Sequence, residues 1–343
     1  MAASKAVSAR PGRRPGYDVG VPDRAPPLHK ASRIYVAGHG GLVGSALVRR
    51  LEAGGYANVL TAPRMALDLA DPRAVRAFFE RERPESVVLA AARVGGILAN
   101  RSYPAEFIHE NLMIETAVLD AARLTGVRQL LFFGCACVYP REAPQPMKEV
   151  HLFTGPVEPT SEPYALAKLA GMTMCAAYSR QYGVRYQALI PASIYGPNDN
   201  FDLESSHVLA ALVRKFHEAK DQGRPVVVWG TGAPRREFLY VDDLVDACLF
   251  LLGLDADAAD AVLGPPGSPV NVGSGHDVAI RDLALLIKEA TGFRGALEFD
   301  ASKPDGAPRK LLDSGRMTRL GWTPKTPLEE GIRRTCEWYN RPR

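Results

Sequence analysis

From Arg33 onward the chain alternates short, wholly apolar runs with longer stretches in which apolar residues recur every three or four positions. The short runs, at 34–37, 59–60, 87–90, 130–133 and 186–190, lack the every-second-residue alternation of a half-exposed strand, so they predict strands buried on both faces. Helical spacing at 42–51, 73–79 and 107–124 supplies the crossovers that parallel strands require. Strand and helix in strict succession predict an α/β fold: a doubly wound parallel sheet with helices on both faces, of the Rossmann type. After Pro197 the regularity loosens into shorter elements among Pro, Gly and charged residues, which predicts a smaller α/β lobe. The expected boundaries are 31–200 for the nucleotide-binding domain, completed by 236–255, and 201–235 with 256–343 for the substrate lobe. Ligands of open parallel sheets bind outside the carboxyl ends of the strands, so this lobe is expected to close over that edge.

Composition narrows the class. With 46% hydrophobic residues in 343, the chain has ample core. A formal charge of +4 with interspersed signs gives no basic footprint for nucleic acid, and no apolar run reaches the roughly 18 residues of a membrane span. Five cysteines at irregular spacing, with no apolar leader before them, predict a reducing cytoplasmic setting without a disulfide framework. No second ligand pair accompanies Cys135 and Cys137 at zinc-like spacing, so no metal is expected. Residues 1–30, rich in Pro, Gly and Arg, predict a disordered extension; their Gly and Pro density argues against an amphipathic transit peptide.

Directly after the first strand stands Gly38-His39-Gly40-Gly41-Leu42-Val43-Gly44. Glycine at 38 suits a tight turn, at 41 a close backbone approach to pyrophosphate, and at 44 a contact between helix and strand. The helix that follows presents its amino terminus to phosphate, so this loop predicts a dinucleotide site. Arg64, after the second strand, stands where an arginine accommodates the 2′-phosphate of NADP, and Asp68 is placed for the adenine edge. Tyr164 and Lys168 lie four apart in a helical stretch, hence on one face. An ammonium beside a phenol favours the phenolate, which equips Tyr164 to exchange a proton with a carbonyl oxygen.

With these motifs placed, the chain resembles the extended short-chain dehydrogenase/reductases and, among them, the GDP-L-fucose synthase family. The similar strings are Ala37-Gly38-His39, Val94-Gly95-Gly96-Ile97, 162–171, Tyr195-Gly196-Pro197-Asn198-Asp199-Asn200-Phe201, Ser206-His207-Val208, Arg236-Glu237-Phe238-Leu239 and Ser302-Lys303-Pro304-Asp305-Gly306. The resemblance implies an NADP(H)-dependent enzyme that epimerises C3 and C5 of GDP-4-keto-6-deoxy-D-mannose and reduces C4. It implies Cys137 and His207 as the acid/base pair, Tyr164 as proton donor to the C4 oxygen, and Lys168 as its partner. Gly134, Cys135, Pro191, Ala192, Ser193, Ile194 and His207 match positions that line the cofactor. Lys215, Trp229, Arg236 and Asp305 match positions that hold the GDP-sugar, although Trp229, following three valines, could equally be core. The resemblance also implies a homodimer, with 107–124 and 164–182 as candidate pairing helices.

Five positions depart from the family pattern. Cys135 and Ala136 replace serines, the first of which helps the tyrosine bind the carbonyl oxygen; Ala192-Ser193 replace Thr-Asn; and Gly40 replaces an arginine beside the adenosine phosphate. A thiol is a weaker donor than a hydroxyl, so slower turnover is expected. Two other readings stay open: a sugar-nucleotide epimerase or dehydratase on the same fold that recycles tightly bound NAD and, because of these departures, a paralogue that binds dinucleotide or GDP-sugar without turnover.

Overall fold

In the computed structural model of the protein, which describes residues 26–303 and 305–341, each apolar run is a strand and each amphipathic stretch a helix. The first half runs β1 (Arg33–Ala37), α1 (Leu42–Ala53), β2 (Asn58–Leu60), α2 (Pro72–Glu82), β3 (Ser86–Leu89), α3 (Ile97–Ser102), α4 (Pro104–Leu124), β4 (Gln129–Phe133), α5 (Glu162–Tyr182) and β5 (Arg185–Pro191). The second runs β6 (Ser193–Tyr195), α6 (Val208–Gln222), β7 (Val226–Trp229), β8 (Arg235–Tyr240), α7 (Val241–Gly253), α8 (Ala256–Leu263), β9 (Val270–Val272), β10 (Asp277–Ala279), α9 (Ile280–Thr291), β11 (Leu297–Asp300), β12 (Arg309–Lys310), α10 (Gly315–Leu320) and α11 (Leu328–Tyr339).

Local chemistry sets several boundaries. The Asp71 carboxylate accepts the backbone N–H groups of Arg73 and Ala74 ahead of Pro72, a cap that starts α2. Pro163 stands in the first turn of α5, and Gly183, in the left-handed region at φ 70°, ends it.

Six parallel strands form the large sheet in the order β2-β1-β3-β4-β5-β9. The chain winds outward from β1 to β2, then returns past β1 to β3, so the topological switch lies at the carboxyl ends of β1 and β3. Ile34 through Ala37 are wholly buried, as strands covered on both faces must be. In the second, smaller cluster, β8 pairs antiparallel with β10 and parallel with β6 and β12, while β7 pairs with β11. Ala192 alone separates β5 from β6, so one residue carries the chain from the large sheet to the small one.

Two expectations are corrected. Residues 1–25 of the predicted extension lie outside the described residues, but 26–30 are docked: Leu28 N–H donates to Leu252 O at 2.9 Å, and Gln129 Nε2 to Pro26 O at 2.8 Å. Strand β9 and helix α8 pack with the large sheet, although their stretch was expected in the lobe. A three-residue strand carries too short a pattern to announce its sheet. No helix among the described residues is long and apolar enough to cross a membrane.

The approach of α1 to β1 rests on one glycine. Gly44→Ala would place a methyl 2.1 Å from the Gly38 carbonyl oxygen. That overlap is expected to lower stability by about 1–3 kcal/mol. Gly41→Ala, whose methyl would lie 3.6 Å from the same oxygen, is in ordinary contact and should stay within about 0.5 kcal/mol of the wild type. Urea denaturation of the two variants side by side checks the contrast.

Candidate active site

The glycine loop is built as an anion cradle. Gly38 has φ +84°, and a Cβ there would stand 2.6 Å from the backbone nitrogen of Ala91, so the loop after β1 presses on the segment after β3. The first turn of α1 has no side-chain cap, which leaves its N–H groups directed at the crevice. Gly40 and Gly41 are exposed, and the buried Nδ1 of His39 has no hydrogen-bond partner. Uncapped donors, an orphaned imidazole nitrogen and absent side chains suit a dinucleotide pyrophosphate. Arg64 and Asp68 are exposed beyond β2, and one Asp68 oxygen is already engaged by the Ala70 N–H at 3.0 Å.

Tyr164 and Lys168 occupy the first two turns of α5. The Lys168 ammonium lies 5.8 Å from the Tyr164 ring centre and 4.8 Å from that of Phe132. Tyr164 packs edge-on against Phe107 of α4, ring centres 6.1 Å apart. From the same helix Glu115 reaches Lys168, with Nζ–Oε1 at 3.0 Å and the two side chains 3% and 1% exposed. The alternation of residues along 107–124 gives no sign that this acid faces inward, and it was not among the expected site residues. Burial pushes the Tyr164 phenol up, Lys168 draws it down, and Glu115 raises it again. Lys168 itself is held above its ordinary range: burial lowers it, but Glu115, followed by Tyr164, more than offsets that.

At the end of β4, Gly134 donates its N–H to Leu189 O, and a Cβ there would meet the Met172 sulfur of α5 at 2.8 Å. A single 3-10 turn at Ala136–Val138 follows, closed by the Val138 N–H on Cys135 O, and α5 packs against it. This turn corrects the expectation of a free thiol at Cys137. It brings the Cα atoms of Cys135 and Cys137 to 5.3 Å, within bridging distance, and the two sulfurs form a disulfide. Cys175, Cys248 and Cys336 are free and buried in packing positions. Pro191 and Ala192 are buried at the end of β5, Ser193 is exposed and Ile194 half-buried; the Ala192 N–H is held by Val272 O.

His207 directly precedes α6 and is placed by the loop at 94–97. Gly96 donates its N–H to Ser205 O at 2.8 Å, and a Cβ on Gly96 would stand 2.6 Å from Ser206 O, so only glycine lets the two segments lie this close. Asn100 fixes the loop from below, donating to the carbonyls of Gly95 and Gly96. The surrounding protein pushes the His207 imidazole below its ordinary range, and the Lys310 ammonium adds to this.

The remaining residues come from the small lobe. Lys215 donates to Val227 O at 2.9 Å, with its ammonium 5.1 Å from the Trp229 ring centre. Trp229 is 51% exposed, which decides against a core position. Arg236 donates to the carbonyls of Arg235 and Ala307, and Asp305 receives the Thr231 N–H and hydroxyl at 3.0 and 2.7 Å. Lys310 pairs in register with Arg236 across β12 and β8. Burial, then the Arg236 guanidinium, push its ammonium down to about 8. Lys310 too went unpredicted, because its neighbours at 309–313 carry no pattern beyond a short charged strand.

The chain matches the NAD dependent epimerase/dehydratase family over residues 34–273. It is 52% identical to GDP-L-fucose synthase 1 of Arabidopsis thaliana over 311 residues, which is 90% of this chain and 94% of that one. It is 49% identical to GDP-L-fucose synthase of Escherichia coli, covering 90% of this chain and 96% of that one. Its fold superposes on a GDP-L-fucose synthetase from Naegleria fowleri bound to NADP with a TM-score of 0.82 at 27% identity, covering 93% and 97% of the respective chains. A nucleotide cradle, a half-buried tyrosine beside a buried Lys–Glu pair and a cationic lobe thus coincide with extended likeness in sequence and fold: the chain belongs to the GDP-L-fucose synthase family of NAD dependent epimerase/dehydratases.

Proposed function

We propose that this chain converts GDP-4-keto-6-deoxy-D-mannose to GDP-L-fucose in the cytoplasm, inverting C3 and C5 and reducing C4 with NADPH. The observation that carries this reading is the buried Lys168–Glu115 pair, which holds a protonated amine beside Tyr164 at the sheet edge bearing the glycine loop. NADPH, when bound, supplies the hydride to C4. The backbone of Gly38, His39, Gly40, Gly41, Leu42, Val43 and Gly44 would hold its pyrophosphate and Arg64 its 2′-phosphate. Asp68 would face the adenine, and Gly134, Cys135, Pro191, Ala192, Ser193, Ile194 and His207 would line the remaining length. Lys168 would hold the ribose.

A ketone at C4 acidifies the hydrogens on C3 and C5, so one pocket serves both inversions. His207, with its pKa pushed below the ordinary range, is favoured in the neutral form that can accept a proton. Cys137 is the complementary acid in its thiol form. Tyr164 protonates the C4 oxygen, assisted by the Lys168 charge. Arg236, Lys215 and Lys310 supply cations for the diphosphate, with Trp229 and Asp305 beside them. A homodimer through α4 and α5 fits the 46% exposure of Leu166 on the latter helix.

Under reducing conditions the purified protein is expected to form GDP-L-fucose with one NADPH consumed per product. An enzyme that recycles its own NAD would form product without net NADPH loss, and a non-catalytic paralogue would form none. Glu115→Gln removes the anion that keeps Lys168 protonated. The lysine pKa then falls, so the alkaline limb of the kcat profile is expected to move to lower pH by about one unit, with kcat at a fixed pH on that descending limb down by roughly tenfold. An unmoved limb would show that Glu115 only packs. At Gly40 a side chain meets nothing within 4 Å and φ is not positive. Gly40→Arg is therefore expected to lower the KM for NADPH by about 1.5- to 5-fold, the range of one exposed ion pair, with the KM for NADH unchanged.

A further inference from the structure

The disulfide lies where the proposed chemistry needs sulfur-bound hydrogen. Cys137 is the proposed acid in the epimerisation, and Cys135 is the side-chain donor proposed to face a carbonyl oxygen where the family resemblance places a serine hydroxyl. A sulfur bonded to sulfur carries no proton to exchange and no S–H to donate. The oxidised turn therefore lacks both groups at once, whereas Tyr164, Lys168 and Glu115 contain no sulfur and keep their arrangement.

Three observations argue that this bond is labile rather than a staple. It spans a single intervening residue, so it restricts the unfolded chain as little as a disulfide can. Both cysteines are half-buried, and exchange requires access by an attacking thiolate. The other three cysteines are buried, with burial pushing their thiols up, so they compete poorly as partners. The turn that presents the pair is fixed independently of the bond: Val138 and Tyr139 are buried, and the Tyr139 hydroxyl donates to Asn271 Oδ1 at 2.6 Å in β9. The two sulfurs consequently stay within reach of each other after reduction.

We propose that Cys135 and Cys137 form a reversible thiol-modification site, oxidised by peroxides or small disulfides and reduced by dithiols, that turns epimerisation off and on. This rests on the reading of Cys137 as an acid/base residue. In oxidation by hydrogen peroxide, one thiolate attacks the O–O bond, giving a sulfenic acid and releasing the first water after protonation. The second thiol then displaces the hydroxyl as a second water and closes the S–S bond, two electrons passing from the two sulfurs to the peroxide. In reduction, a dithiol's thiolate attacks one sulfur to form a mixed disulfide. Its second thiol then resolves this, leaving two protein thiols and an oxidised cyclic dithiol.

The test compares full-length wild type and Cys135→Ser, each reduced with dithiothreitol and then desalted with or without brief hydrogen peroxide. Intact mass reports loss of two hydrogens. Incorporation of solvent deuterium at C3 and C5 reports epimerisation, and fluorescence titration reports NADPH binding. Oxidised wild type is expected to lose two hydrogens and at least about 100-fold in exchange rate, the lower bound for removing a general acid. Its NADPH affinity should change far less than its exchange rate, and dithiothreitol should restore exchange. Cys135→Ser, read as its own ratio of rates with and without peroxide, should form no intramolecular disulfide and lose far less. Wild type that forms the disulfide yet exchanges at the reduced rate, or that forms none under peroxide, overturns the switch. Reduced wild type that consumes NADPH but whose Cys137→Ala variant exchanges at full rate also overturns it. Reduced wild type that makes no GDP-L-fucose at all would instead overturn the functional reading, and the switch with it.

Discussion

The active region depends on a buried ion pair between two helices. Removing an ammonium and a carboxylate from water costs several kcal/mol each, and their attraction offsets this only if the geometry is held closely. The packing of α4 on α5 provides that geometry. Gly171, one turn beyond Lys168, is what lets it close: a Cβ there would stand 2.4 Å from the Phe132 ring and 2.7 Å from Glu115 Oε2. Lys168, Phe132 and Glu115 thus share a space that one methyl group would fill. The pair also sets a compromise in charge. Glu115 favours the protonated lysine in a site where burial lowers its pKa, yet the same anion opposes ionisation of Tyr164. A phenol held above its ordinary pKa stays protonated at neutral pH, so its proton is in place for a developing alkoxide, which is a stronger base than a phenolate.

The second constraint is mechanical. His207 belongs to the segment that opens the small lobe, while Tyr164 and the glycine loop belong to the large sheet. Their relation is fixed by contacts that exclude side chains: Gly96 against the Ser205 and Ser206 carbonyls, and Ala192 as the lone residue between β5 and β6. Glu237 adds a clamp from β8, receiving the N–H groups of Leu312 and Gly275, and burial pushes its carboxyl up to about 7 despite them. A lobe tied at these points carries Arg236 and Lys310 on adjacent strands, so its cations move as a unit with β8.

Much of the sheet was legible because its strands are buried on both faces, and a short, unbroken apolar run between helical patterns fits little besides a doubly covered strand. The glycine loop and the Tyr164–Lys168 spacing were legible because their function depends on local backbone and helix periodicity. What escaped notice depends on partners distant in the chain. Glu115 looks like one more polar residue on an amphipathic helix until α5 lies against it. Lys310 gains meaning only from Arg236 across the strand pair. The docking of residues 26–30 is likewise carried by Leu252 and Gln129, which no pattern near the amino terminus reveals. The pairing of Cys135 with Cys137 needed the turn itself, since two residues separated by one in an extended strand stand roughly 6.6 Å apart, at the far edge of bridging distance.

That last point bears on why both cysteines stand on one turn. Cys135 is extended at φ −158° and ψ 159°, but the 3-10 turn that begins at Ala136 shortens the path, drawing the Cys137 Cα to 5.3 Å from that of Cys135. Two polar groups aimed at one pocket are what a carbonyl substrate requires, one to bind oxygen and one to exchange a proton. With serine in the first position the two are chemically independent. With cysteine, the proximity that makes them cooperate also makes them able to bond to each other. On the switch proposed here, sensitivity to oxidation follows from having sulfur rather than oxygen at residue 135, within bonding reach of Cys137.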